Sequence, residues 1–199
     1  RPALLTLVVS LGLLAVGTYE SRHLLTGDVG SGAPELRAES RYNRDNDNII
    51  SNYSIGMDVL SVFVETSNLD ESCLNWQVMN AVERFDARMR RVDGVQSVST
   101  VSGLAKIAAS SNNEGNPRWA ALQRTEASLR SGAKALSPDL GLNTEGCKVI
   151  NLQVFLKNHE GATLTHVVNE VRDFIAADKT PNVKFLLAGG NAGVAVATN

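Results

Sequence analysis

The uncharged run 2–19, PALLTLVVSLGLLAVGTY, constrains this chain more than any other stretch. A bilayer core of about 30 Å needs roughly 20 apolar residues at 1.5 Å rise each, so the run sits at the short end of that range. Arg1 precedes it, and Glu20, Arg22 and His23 come after it. Thr6, Ser10, Thr18 and Tyr19 are its polar side chains, able to bond back to a helix backbone or reach an interface. A transmembrane helix explains the absent charges and polar flanks. A secretory signal peptide is the rival: 4–16 has h-region length and Ala15-Val16-Gly17 resembles a cleavage site, but there is no Met start and only Arg1 for an n-region. A buried core helix is the third reading. Flanking charge does not settle orientation. The membrane reading divides the chain into a transmembrane segment at 1–19, a neck at 20–38 and a globular body at 39–199.

The body is large enough to bury a core. Hydrophobic content of 43% with 20% charged residues is ordinary for a globular chain. A net charge of −2 argues against nucleic acid as a partner, because a basic patch would be needed. Arg88, Arg90 and Arg91 form the densest basic cluster and suit a helix C-terminus. Cys73 and Cys147 stand far apart, and neither belongs to a C-x-x-C pair, which argues against zinc. His23, His159 and His166 are scattered, and no G-x-S-x-G or H-E-x-x-H occurs. No catalytic, metal-binding or cofactor-binding residue is therefore expected, and the chain is not read as an enzyme.

Gly27, Gly30, Gly32 and Ala33-Pro34 predict a turn-rich connector; no G-K-[ST] comes after them, so it is no phosphate loop. Ser40 is an N-cap for a helix to about Tyr53, with Tyr42, Ile49, Ile50 and Tyr53 on one face and the polar run 43–48 largely on the others. Asp45-x-Asp47 lacks the glycine and closing glutamate of a calcium loop. Asn52-Tyr53-Ser54 is formally a glycosylation acceptor; in a bacterial protein it would mean nothing, and it is discounted. Next come a strand at 58–65 and a helix at 74–91 whose Leu74, Val78, Val82, Phe85, Met89 and Val92 recur at helical spacing. Asp93-Gly94 ends it, and 95–101 is a second strand. A helical insertion covers about 104–146: a short helix at 104–109, a loop at 110–117, a helix at 118–135 and a loop at 137–146. The strand 149–157 alternates Ile150, Leu152, Val154 and Leu156 with Asn151, Gln153 and Phe155. A helix at 162–177 and a strand at 183–188 complete a second strand–helix–strand unit, and Gly189, Gly190 and Gly193 loosen the exit.

Two such units with right-handed crossovers give an α+β, ferredoxin-like double βαβ domain, sheet order 4-1-3-2, with both long helices on one face. The first and third strands are then antiparallel neighbours. Cys73 lies just after the first and Cys147 just before the third, so the topology brings them together and predicts a disulfide, with two free buried thiols as the alternative. A disulfide implies an oxidising compartment, periplasmic or extracellular.

The neck GDVGSGAPELRAESRYNRD (27–45) and the end LLAGGNAGVAVATN (186–199) resemble the large periplasmic loops of the resistance–nodulation–division (RND) transporter superfamily, in its MMPL-like branch of exporters. The G-x-P-E-L-R-x-x-S-R-Y-N-R-D run carries most of that likeness, through Gly32 to Arg37 and Ser40 to Asp45. The resemblance implies a porter-like domain in the periplasm, attached to a bacterial inner membrane, forming part of a path for hydrophobic or amphiphilic substrates, lipids included. Proton-relay residues would lie in membrane helices beyond this chain. Implied partners are the other membrane helices, the paired periplasmic loop, the membrane and an amphiphilic small molecule or lipid, with homo-oligomers also possible. Tyr42, Trp76, Trp119 and Phe155 could line such a path, although packing inside the body is the usual place for aromatics. The alternative is a membrane-tethered interaction module that uses the loop at 110–117.

Overall fold

Alternation of period two decides the sheet. In β1 (Asp58–Thr66) and β3 (Val149–Leu156), Leu60, Val62, Val64, Ile150, Leu152, Val154 and Leu156 all point one way and are completely buried. The structure is a computed structural model that describes residues 2–21, 33, 36–37 and 39–198, the side chains at 2, 188 and 195–198 excepted. With β2 (Val95–Ser99) and β4 (Val183–Gly189) these strands form one antiparallel sheet in the order β2-β3-β1-β4. Read from the other edge this is the expected 4-1-3-2.

Two helices cover the buried face. α3 (Trp76–Met89) contributes Val78, Val82, Phe85 and Met89, and α6 (Gly161–Ala177) contributes Leu164, Val167, Val168 and Val171. Asn75 caps α3 by accepting the Gln77 and Val78 N–H groups at 2.9 and 3.2 Å, so Leu74 belongs to a preceding 3-10 turn rather than to the helix. Phe85 on α3, Phe174 on α6 and Phe185 on β4 meet with ring centroids 5.1–5.8 Å apart. One aromatic from each of these three elements thus locks the sandwich. At the free edge of β2, Arg90 donates to the Val98 carbonyl while its guanidinium grips Asp86, which occupies an otherwise open strand edge.

The N-terminal helix α1 (Pro2–Ser21) stands apart from this core. It is long and apolar enough to cross a membrane, and its leucines and valines are exposed all round. It is therefore not a core helix of the body. Thr18 returns its hydroxyl proton to the carbonyls of Leu14 and Ala15, as an intrahelical threonine in an apolar setting does. The neck at 20–38 falls mostly outside the described residues, including the turn expected around Gly27, Gly30 and Gly32.

Several expectations are corrected. The second strand stops at Ser99, because Thr100 accepts the Gly103 N–H at 3.1 Å and opens α4 (Val101–Ser111), with Val101 buried in its first turn. No helix runs from 118 to 135. Pro117–Trp119 is a single 3-10 turn, and α5 (Glu126–Ala133) starts afresh at the Thr125 cap. Tertiary contact sets its place: a Cβ at Gly132 would lie 2.6 Å from the Ala105 carbonyl oxygen, so only glycine lets α5 lie this close to α4. The exit is not loosened. β4 passes at Gly190 directly into α7 (Gly190–Thr198).

The helix expected at 40–53 forms as α2 (Arg41–Asn52) with Ser40 as its cap, but its buried residues are polar. Asn43 and Asn46 are buried, whereas Tyr42, Ile49 and Tyr53 are exposed. Asn43 accepts the Ala33 N–H at 2.9 Å and donates to the Arg37 carbonyl at 3.0 Å. That face satisfies the backbone of the incoming chain instead of joining the apolar core.

Candidate functional site

The two ends of the sheet are fastened by different chemistry. At one end, where β1 finishes and β3 begins, Cys73 and Cys147 are joined in a disulfide with their Cα atoms 5.6 Å apart. The bond ties the turn after β1 to the turn before β3, as the strand order requires. Beside it, the Thr66 N–H donates to the Lys148 carbonyl at 2.9 Å, and the Thr66 and Ser72 hydroxyls lie 2.6 Å apart. The insertion, with α4 and α5, belongs to this end. A small hollow of about 260 Å³ lies over the disulfide, lined by Leu74, Leu136, Pro138 and Asn143.

The other end is where the chain enters β1 and leaves β4. Asn191, in the first turn of α7, accepts the Val59 N–H at 2.7 Å and donates to the Met57 carbonyl at 3.1 Å. Its amide also reaches Asp58 Oδ1 at 3.3 Å. Asp58 Oδ2 lies 3.1 Å from His159 Nδ1, and both side chains are largely buried. Gly190, at φ +83°, brings its Cα against the same strand: a Cβ there would stand 2.1 Å from the Val59 carbonyl oxygen. Entry, exit and the end of β3 are thus held in one cluster of named bonds.

Between these ends lies the sheet face that points away from α3 and α6. The strand register lays it out in rows. Ser97, Phe155 and Val59 form the row nearest the entry; Ser99, Gln153, Ser61 and Gly189 form the next. Asn151, Phe63 and Leu186 make the third, and Val149, Glu65 and Lys184 close the face near the disulfide end. Two rows with aromatic rings therefore bracket a row of small and amide side chains. Phe63 is the most open of the rings at 37% exposure. The face therefore presents apolar rings beside amide and hydroxyl groups.

The helical side offers charge instead. Two open hollows of about 660 and 500 Å³ share Arg84 and Arg88. Arg84 pairs with Asp178 and Thr180, and Arg88 pairs with Glu170 at 2.9 Å. Both cations are matched within the body, so the groove carries no free anion site in these two arginines. Asp93 at its end is held below the usual carboxylate range, first by the hydrogen bond from Lys157 and then by the Gly94 N–H.

The four aromatics named from sequence do not converge, and none belongs to the buried core. Phe155 lies on the open sheet face. Tyr42 is exposed on α2, its hydroxyl 3.9 Å from Met57 Sδ. Trp76 sits on the helical side with Arg124 stacked 5.5 Å above its ring, and Trp119 is exposed in the insertion. Packing was expected to claim all four, but Tyr42 and Trp119 lie on surface segments that the sheet and long helices do not cover. Sequence reasoning missed Asn191 altogether and read Gly190 only as a loosened exit. Their signal was present: an Asn directly after a glycine pair that ends a strand can cap the helix starting there. Among the described residues no group of three or more His, Cys, Asp or Glu could hold a metal ion. Comparison of the chain with protein-family models, curated proteins and solved structures finds no match.

Proposed function

We propose that the chain is a periplasmic porter-like domain of an RND/MMPL-like exporter, with one membrane segment attached. In this reading the body is a ferredoxin-like double βαβ unit carrying a helical insertion. It forms part of the path of a hydrophobic or amphiphilic substrate, lipids included. Proton coupling resides in membrane helices of the rest of the protein, as do the remaining partners, the paired periplasmic loop among them. The body itself has no catalytic part in it.

The observation that carries the reading is the junction of Asn191 with Met57 and Val59. A body inserted between two membrane helices must leave where it enters. Here the exit helix is bonded to the entry strand. α1 supplies one helix of membrane length, and α7 leaves the junction as an apolar helix with small residues. The open sheet face, with Phe63 and Phe155 bracketing Gln153 and Ser61, is the surface assigned to substrate. The exit does not work as a glycine hinge, because Gly190 and Asn191 clamp α7 to β1. Motion of that helix is passed to the whole sheet.

The tethered-module alternative draws on the insertion, where Ile107 and Trp119 are exposed. One experiment separates the two. Phe63→Asp and Phe155→Asp, placed in the full exporter, are expected to abolish export of an amphiphilic substrate while protein level and disulfide are retained. Unchanged export, with loss of a protein partner on Trp119→Ala, would support the module instead.

A further inference from the structure

We infer that the stripe formed by Tyr42 and Ile49 on α2, continued by the C-cap Tyr53 and by Ile55 and Met57, lies against the headgroup layer of the bilayer into which the chain is anchored. The inference rests on the exporter reading and deepens it. Exposed large apolar side chains are not spread evenly over the described body. Five gather on this stripe and three lie in the insertion, at Ile107, Trp119 and Leu140; the others are Leu36 on the incoming chain, Phe63 on the sheet face and Val194 on α7 itself. Tyr42 and Ile49 are seven residues apart on α2, which places them within about 20° of each other around the helix axis, and Tyr53 is the extended residue that caps the helix C-terminus. They are 48%, 38% and 63% exposed, and Ile55 and Met57 are 51% and 47% exposed. The side of α2 turned into the body carries the buried Asn43 and Asn46 with Ile50 half-buried beside them, so Tyr42 and Ile49 are turned outward and not into the core.

Position selects the bilayer over a protein as the occupant. Met57 is bonded through its carbonyl to Asn191, in the first turn of α7. No linker separates the stripe from the exit helix. From Asn191 to Thr198 α7 covers about 11 Å at 1.5 Å per residue. The headgroup layer is about 5–8 Å deep on each side of a 30 Å core. An apolar α7 that reaches lipid in its first two turns therefore sets Met57, and Tyr42 beside it, at headgroup depth. Tyrosine is enriched at that depth, where its ring is apolar and its hydroxyl stays wet. The insertion's exposed residues lie with the disulfide end, a strand length of about 30 Å away along β1.

The test uses the full chain in vesicles of phosphatidylethanolamine and phosphatidylglycerol, with or without lipid brominated at acyl positions 6 and 7. Tyr53→Trp is made with Trp76→Phe and Trp119→Phe, so that it is the single emitter; Ile55→Trp in the same background is a second reporter. Trp119 alone, with Trp76→Phe, is the distal control. Disulfide formation reports that each variant folds. The stripe positions are expected to lose at least half of their emission to brominated lipid, and Trp119 to lose none. A stripe reporter that floats with the vesicles yet is unquenched, whether open to iodide or shielded by a second protein, overturns the docking and leaves the exporter reading standing. A chain that does not float with vesicles overturns both.

Discussion

Asn191 reaches across 132 positions of sequence to take the backbone proton of Val59 at 2.7 Å. The bond joins the last helix of the chain to its first strand. Asn191→Ala removes three hydrogen bonds around Met57, Asp58 and Val59 at a partly exposed site. The expected loss is about 1–2 kcal/mol of stability. Hydrogen exchange should report it first in α7 and at the start of β1, before the centre of the sheet.

Gly190→Ala should cost more than the loss of the asparagine. The new methyl must adopt φ +83° and meet the Val59 carbonyl oxygen at 2.1 Å. The left-handed conformation alone is worth about 1–2 kcal/mol against a non-glycine residue, and the backbone clash adds to it. Urea denaturation of the two variants side by side checks the order.

The Cys73–Cys147 bond closes a loop with a sequence separation of 74. On the chain-entropy model its removal costs about 4–5 kcal/mol as an upper figure. Cys73→Ala with Cys147→Ala should shift the urea midpoint downward by an amount of that order. The disturbance should appear at the insertion, because the bond fixes the turns on either side of it.

Gly132→Ala tests the packing of the insertion. Its Cβ would press on the Ala105 carbonyl at 2.6 Å, so α5 must move off α4. A loss of about 1–3 kcal/mol is expected from overpacking of this kind. By contrast Phe85→Ala, at the centre of the three-ring contact, should cost about 3–5 kcal/mol and loosen the whole sheet.

Asp93 gives a pH signature. Its carboxyl is held below the ordinary value by Lys157 and the Gly94 N–H. A depressed folded pKa stabilises the fold above the unfolded value, near pH 4, and the contribution is lost as pH falls through the folded pKa. The urea midpoint of Asp93→Asn should fall below that of the parent at neutral pH and converge with it in acid. Because Asp93 is solvent-exposed, salt should shrink the difference.

The sheet and its two long helices were legible because their signals are local. Leu60, Val62 and Val64 alternate without a break, and so do Ile150, Leu152, Val154 and Leu156; once the strand order is drawn, Cys73 and Cys147 must meet. One misreading is local: the Thr100 cap, bonded to Gly103, converts the last residues of an alternating run into a helix start. The others arise where a distant contact decides. α5 is placed by the fit of Gly132 on Ala105. The glycines at the exit suggested freedom, but Gly190 is needed for close approach to Val59. On α2 the expected apolar face of Tyr42, Ile49, Ile50 and Tyr53 does not stay together: Ile50 is half-buried on the side of Asn43 and Asn46, Tyr42, Ile49 and the C-cap Tyr53 are exposed, and Asn43 is turned inward, where it bonds the backbone at 33 and 37. The open face at Phe63 and Phe155 comes from the same alternation that identified the core. That Asn191 closes the junction at its edge depends on a bond no window of sequence contains.

The proposed function requires the body to be an extracytoplasmic head. The most direct measurement is the thiol state of Cys73 and Cys147 in living cells, trapped by alkylation at the moment of lysis and read by mass spectrometry. An extracytoplasmic head should yield one peptide pair linked through the two sulfurs, with neither cysteine alkylated until a reductant is added. Two alkylated cysteines in protein taken from its native compartment would contradict it.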